Sequence, residues 1–363
     1  MIVACTGVQK ALLREEFPSL TFIELRGYEV RYDKNRALTI LRLMSAIPKI
    51  LIRIKREKAW LGHFAAREGL DLVISDNRYG LTLPGTPCVF ITHQLLIKTP
   101  FGPRADRFLQ SLNYRAIRHF SRCWVPDVAT GGLAGDLSHP ERMPPIPTRY
   151  IGWLSRFGAP ASGSGNDRDP AVSSAPLLLA LLSGPEPQRT LLEKDILRQA
   201  QAMAGKALAC RLVIVRGLPG SSEPLSSNPT ASRDPSGGSA SASPNPWLTI
   251  YNHLPAKALE PLLRDASLVL ARPGYSTVMD LERLGKRALF IPTPGQSEQE
   301  YLGPYLAAKG WAACVDQRAF SLTTAAEMAE KAGSTRERQA EDPALLAAEI
   351  EYILSQSCPP ALG

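Results

Sequence analysis

Pro273 and Gly274 make a tight turn between an apolar run ending at Leu270 and Ala271 and a helical pattern starting near Tyr275. Ser276 and Thr277 fall in the first turn of that helix. Such a strand–turn–helix points unpaired backbone N–H groups and the positive end of the helix at the carboxyl edge of a sheet, where a phosphate binds. Asp280 lies one turn further along and can accept hydrogen bonds from ribose hydroxyls. After the next apolar run, Gln296, Gln299 and Glu300 supply amide and carboxylate groups suited to sugar hydroxyls. An ordinary strand–turn–helix with capping residues has the same local pattern, so the wider frame has to decide.

That frame alternates short apolar runs with helical spacing. IVAC, LTFIEL, DLVISD and CVFITH in the first half, and PLLLALLS, ACRLVIVR, WLTIY, SLVLA and RALFIP in the second, read as strands. Several are apolar on both faces, as parallel strands covered by helices on each side must be. The expected fold class is α/β, with two Rossmann-like doubly wound parallel-sheet domains. The expected boundaries are an amino-terminal domain at 1–157, a linker at 158–176 and a second domain at 177–357. A Ser-, Pro- and Gly-rich insertion at 217–246 interrupts the second domain. The chain opens with a strand next to Met1. The strand and glycine-rich turn that ordinarily begin such a domain are expected to be missing.

The stretch Ala271 to Gly310 resembles the carboxyl-terminal domain of the family 28 glycosyltransferases, a GT-B group that includes the bacterial enzyme adding N-acetylglucosamine to lipid I. Arg272, Gly274, Thr277 and Asp280 match the group's R-x-G-x-x-T turn and the acidic residue after it. Gln299 and Glu300 stand where it commonly has Gln-Gln. The resemblance implies two domains facing a cleft, with the second domain binding a nucleotide-diphosphate sugar, UDP-linked by analogy. Asp280 would hold the ribose, Thr277 and the helix amino terminus with Ser276 the diphosphate, and Gln299 the sugar. Ser183 and Gly184 stand where the group carries a phosphate loop, and Arg189 would neutralise phosphate there. Pro185 and Pro187 remove backbone donors from that loop. His253 and Leu254 lie where the base is recognised, and His253 fits a structural or base-stacking role better than a catalytic one.

In the amino-terminal domain, His93 and Gln94 end a strand whose carboxyl edge would line the cleft, and Asp76, Asn77 and Arg78 end the preceding one. An imidazole titrating near neutrality can take a proton from an acceptor hydroxyl. The group's usual base sits in the turn that is missing here, so His93 is assigned first to the acceptor side. Asp76 serves equally well as a helix cap. No C-x-x-C pair occurs, and neither metal nor cofactor is expected. A sugar-nucleotide 2-epimerase, or a nucleotide-sugar-binding chain without catalysis, would share the donor-site pattern.

Charge sharpens the division of labour. The net +8 resolves into 23 Lys/Arg against 13 Asp/Glu over residues 1–157, leaving a small acidic excess for the rest. Residues 31–58 alone hold nine basic and two acidic side chains, with Leu38, Leu41, Ile47, Leu51 and Ile54 at near-helical spacing. Such a segment suits either an anionic membrane surface or a solvated basic face. Nucleic acid is not an expected partner, because no aromatic–basic interleaving accompanies the charge. The opening residues lack a secretory signal and no apolar run reaches the roughly 20 residues of a membrane span. The expected location is the cytoplasm, with peripheral contact at the inner face of the membrane.

Overall fold

The computed structural model describes residues 1–27, 36–158, 175–203, 210–219, 240–242, 247–331 and 344–357. Most of the proposed linker, most of the insertion and the first residues of the basic segment lie outside these. The chain divides into two compact units, Met1–Thr39 with Ser155–Arg338, and Ile40–Leu154 with Gln339–Gly363.

In the first of these units, an apolar run unbroken by polar residues forms the centre of a sheet. Strand β7 (Leu177–Leu181) is LLLAL and β11 (Leu268–Ala271) is LVLA, with all but Leu181 of these nine residues buried. With no face left for water, both strands must be covered on two sides. They pair with each other, flanked by β8 (Arg211–Val215) and β10 (Leu248–Tyr251) on one side and by β12 (Ala288–Phe290) and β13 (Ala313–Cys314) on the other. All these pairs are parallel, and β9 (Ala240–Ala242) adds an antiparallel edge beside β10. The order β13-β12-β11-β7-β8-β10 is the doubly wound arrangement, reversing direction between β7 and β11. Ligands in such sheets bind outside the carboxyl ends of the strands at that reversal.

Helices α4 (Gln188–Ala202), α5 (Ala256–Asp265), α6 (Tyr275–Leu284), α7 (Ser297–Ala308) and α8 (Leu322–Lys331) connect or follow these strands. Leu192, Ile196 and Ala200 of α4 and Leu322, Ala325, Ala326 and Ala329 of α8 pack with Leu178, Ala180, Ile214, Leu268 and Leu270 in one core. Gly285 ends α6 in the left-handed region (φ 64°), and Lys286 N donates to Leu281 O across the turn. The same unit contains β1 (Ile2–Cys5), α1 (Gly7–Glu16) and β2 (Thr21–Glu24). There β1 and β2 are parallel and Thr6 and Gln9 form a capping box.

The other unit holds β3 (Val73–Asp76), β4 (Cys88–Ile91), β5 (Arg122–Val125) and β6 (Thr148–Tyr150), all parallel in that order. Helices α2 (Arg36–Glu68) and α3 (Pro103–Ile117) belong with them, although the first residues of α2 fall on the other side of the division. The final helix, α9 (Leu345–Ser357), returns to this sheet. Its Ile353 packs with Val89, Trp124 and Ile151, joined by Leu346 and Ile350, and Glu349 accepts from Trp124 Nε1 at 3.3 Å.

The two units therefore differ from boundaries drawn along the sequence at residues 157 and 177. Among the described residues the opening strands pair with each other and not with β3 to β6, so the four strand runs of the first half do not form one sheet. The last helix packs Ile353, Leu346 and Ile350 on the first-half sheet.

Candidate donor and acceptor sites

At the carboxyl edge of the seven-stranded sheet, three strand exits come together. The residues after β7 run through Ser183 and Gly184 to α4, those after β11 through Arg272 to Gly274 into α6, and those after β12 through Thr293 to Gln296 into α7. A Cβ on Gly303 of α7 would approach both Pro292 (2.9 Å) and Pro273 (3.5 Å), so the second and third exits touch over a residue that has to be glycine.

Arg272 fixes this edge from beneath. It is 1% exposed, and Nη1 donates to Ile291 O (2.8 Å) and Pro292 O (3.0 Å). Nη2 donates to Gln188 O (3.1 Å) and Gln317 Oε1 (2.7 Å), and burial pulls the guanidinium down to about 10, so it is still charged near neutrality. One side chain thus ties the exit of β12 to the start of α4. Its role in the structure is a clamp rather than an open cation.

Above this clamp, Gly274 is the N-cap of α6, and no side chain caps the helix. The first-turn N–H groups, including those of exposed Ser276 and half-buried Thr277, have no intrahelical acceptor, leaving partial positive charge at the sheet reversal. Asp280 follows one turn on. Its Oδ1 accepts from Ser155 Oγ at 2.7 Å, and Arg156 Nε lies 3.3 Å from Oδ2. Burial pushes the Asp280 carboxyl above the ordinary aspartate value, while Ser155 and Arg156 pull against it. Ser155 and Arg156 were not among the residues singled out in the sequence. They lie 125 and 124 positions before Asp280 in an unremarkable stretch beside a Gly/Ser-rich segment, and no spacing connects them to it.

On the first exit, Ser183 and Gly184 are exposed and Gly184 sits at φ 103°, a conformation open to glycine. Arg189, expected to neutralise phosphate here, is committed elsewhere. Its guanidinium is 7% exposed, pairs with Glu186 (2.6 Å) and Glu193 (2.7 Å), and also donates to Arg216 O (3.2 Å). Burial pushes the Glu186 carboxyl up, but hydrogen bonds from Thr190 and Arg189 outweigh it and hold the group low. The two carboxylates absorb the charge that phosphate would have met, which is the physical reason to withdraw Arg189 as a direct phosphate ligand.

On the third exit, Gln299 and Glu300 use side-chain oxygens to brace the backbone. Gln299 Oε1 accepts from Thr293 N (2.9 Å) and Glu300 Oε1 from Gly295 N (2.8 Å). Near β10, His253 is half-buried and Leu254 buried, and burial lowers the His253 pKa while Glu15 and Glu16 raise it. Glu16 also accepts from Ala256 N (3.3 Å) at the start of α5, so α1 reaches the loop between β10 and α5.

In the other unit, the residues expected on the acceptor side gather at the carboxyl ends of neighbouring strands β3 and β4. Asn77, at φ 52°, donates from its backbone to Ile91 O (3.1 Å) and from Nδ2 to Asp76 Oδ1 (3.3 Å). Gln94 Nε2 lies 3.4 Å from His93 Nε2, and Gln94 N donates to Thr92 Oγ1 (3.0 Å). Asp76 keeps access to solvent, yet the protein around it raises its carboxyl, with His93 opposing. Arg78 turns away to Glu57 (2.5 Å), beneath Gly80, where a Cβ would collide with Glu57 and Ile54 O at 2.6 Å. Among the described residues, no group of three or more His, Cys, Asp or Glu is placed to hold a metal ion.

Residues 239–355 match the model of the glycosyltransferase family 28 C-terminal domain. No curated protein matches the sequence. Among solved structures, the glycotransferase of kitacinnamycin is similar at 15% identity and a TM-score of 0.57, covering 98% of this chain and 87% of that one. A spinosyn rhamnosyltransferase solved with thymidine diphosphate is similar at 17% identity and 0.52, covering 96% and 91%. The calicheamicin glycosyltransferase CalG4 aligns at 12% identity and 0.51, covering 99% and 91%. At these identities the structural likeness establishes the GT-B fold. On that fold, residues 239–355 are similar to the carboxyl-terminal domain of the family 28 glycosyltransferases.

Proposed function

We propose that the protein transfers a sugar from a UDP-linked donor to a hydroxyl on a lipid-linked acceptor. The observation that carries this reading is the uncapped amino terminus of α6 at the sheet reversal, with Asp280 one turn along. The first-turn amides and Thr277 take the diphosphate, and the helix dipole stabilises the negative charge that grows on it as the glycosidic bond breaks. Asp280 accepts from the ribose hydroxyls, exchanging its bond from Ser155 for theirs. Leu254 and His253 flank the base. The acceptor oxygen attacks the anomeric carbon as the diphosphate leaves, and His93, with Gln94 Nε2 3.4 Å from its Nε2, belongs to the acceptor side.

The lipid-linked acceptor is supported by the surface of the unit that holds β3 to β6. On α3, Arg104, Arg107, Phe108, Leu112 and Arg115 are all exposed along one side, while Asp106 is buried with Oδ1 accepting from Thr99 N. Phe101 just before it is 63% exposed, and on α2 Leu51 and Ile52 are exposed beside Lys55 and Arg56. Exposed apolar side chains interspersed with exposed arginines suit an anionic lipid surface. Among the described residues no helix is long and apolar enough to cross a membrane.

Calorimetric titration with UDP, UDP-sugars and TDP tests the donor site, and mass spectrometry of products from a membrane-lipid extract tests the acceptor. Asp280→Ala is expected to weaken UDP binding by about 1.5 to 3 kcal/mol, the loss of hydrogen bonds to a charged group. Unchanged affinity would remove Asp280 from the site. Turnover of UDP-N-acetylglucosamine without any acceptor would replace transfer by epimerisation.

A further inference from the structure

The exit of β12 carries two polar atoms with no hydrogen-bond partner among the described residues. Thr293 is fully buried and its Oγ1 is unpaired, and three residues on, buried Gln296 Oε1 is in the same condition. Buried polar groups are normally satisfied, so two orphans on one turn call for an explanation.

Looseness of the turn does not supply it. Thr293 N and Gly295 N are held by Gln299 and Glu300, Gln296 N donates to Thr293 O (3.0 Å), and Arg272 holds the two carbonyls just before Thr293. The backbone is braced on every side while the two side-chain atoms are left over. Their position is also informative. A Cβ added to Gly184 would stand 3.8 Å from Thr293 Oγ1, which places the hydroxyl beneath the exposed Ser183–Gly184 turn at the sheet reversal.

The chemistry of the pair limits what can fill it. An amide oxygen only accepts and a threonine hydroxyl both donates and accepts. A phosphate oxygen would suit Thr293 but repel Gln296 Oε1, since both are acceptors. Sugar hydroxyls serve both kinds of group, donating to an amide oxygen such as Gln296 Oε1 and accepting from a hydroxyl such as Thr293 Oγ1. We propose that Thr293 and Gln296 read a hydroxyl of the donor hexose and thereby select the sugar transferred. This deepens the proposed function and rests on its donor-site assignment.

The test is calorimetry on the full chain with UDP, TDP, UDP-N-acetylglucosamine, UDP-glucose, UDP-galactose and TDP-glucose, using wild type, Thr293→Val, Thr293→Ser and Gln296→Met. For the nucleotide sugar that wild type binds most tightly, Thr293→Val and Gln296→Met are expected to lose about five- to tenfold in affinity. Both should leave the matching nucleoside diphosphate within about twofold, and Thr293→Ser should restore the wild-type value. The melting temperature of Thr293→Val should not fall, because the variant removes a hydroxyl the fold leaves unpaired. Equal losses for diphosphate and sugar nucleotide, no loss for either, or a lower melting temperature with unchanged preference would each overturn the proposal while leaving the donor site standing. Wild type that binds none of the six probes would overturn the donor site itself, and this inference with it.

Discussion

At Asp280 the proposed binding role and the fold make opposite demands on one carboxylate. Its pKa stands above the ordinary 3.8 because burial disfavours the charged form more than Ser155 and Arg156 favour it. Between those two values the folded chain holds the proton more tightly than the unfolded chain does. The stability this carboxyl contributes is therefore complete below 3.8 and is lost as pH rises through the folded value. The proposed binding has the opposite sign, since the ionised group is the better acceptor for two ribose hydroxyls. UDP affinity measured between about pH 4 and 8 should fall on the acid side at a pH above that of an ordinary aspartate. Asp280→Asn should flatten that fall and bind more weakly near neutrality. A wild-type profile that is already flat would mean that Asp280 does not meet the ribose. Arg189 marks the limit of reading single residues. Its position beside Ser183 and Gly184 in the sequence is what a phosphate ligand needs, yet Glu186 and Glu193 take its charge first. Charge partners on the same helical turn are legible only once the direction of each side chain is known.

Among the elements, the strands that are apolar on both faces were the legible ones, because that composition has no stable place except between helices. The turn after β11 was equally legible, since Pro273 and Gly274 stop a strand and open a helix within three residues. The connection from β5 to β6 carries no comparable signal, as its order comes from one buried residue. Asp127, fully buried, accepts from the backbone N–H groups of Val128, Leu133 and Ala134 at 2.9 to 3.0 Å, and from Ser138 Oγ (2.6 Å) and Trp153 Nε1 (3.0 Å). Gly132 passes so near that a Cβ would meet Asp127 Oδ2 at 2.4 Å. Asp127→Ala strands five donors at once and is expected to cost about 3 to 5 kcal/mol. Urea unfolding followed by tryptophan fluorescence should show the midpoint fall. A shift below about 1 kcal/mol would mean that water replaces the carboxylate.

Across the whole molecule, the chain contributes to each compact unit twice, and this was the least legible feature. Neither β1 pairing with β2 alone nor α9 returning to the sheet of β3 to β6 leaves a local mark, because both depend on which apolar face is still uncovered after the neighbouring elements have packed. The return of α9 has a consequence for stability that the unit of the seven-stranded sheet does not share. Ile353, 4% exposed, fills the core made by Val89, Trp124 and Ile151, so Ile353→Ala should destabilise that unit by about 2 to 5 kcal/mol. Ile353→Asp places an unpaired charge in the same core and should cost more. Because the residues assigned to the nucleotide belong to the other unit, both variants of the full chain should still bind UDP at urea concentrations where the fluorescence of Trp124 already reports exposure. UDP binding and Trp124 exposure lost together, at one midpoint, would show instead that the chain folds as a single cooperative block and that its two units have no separate stability.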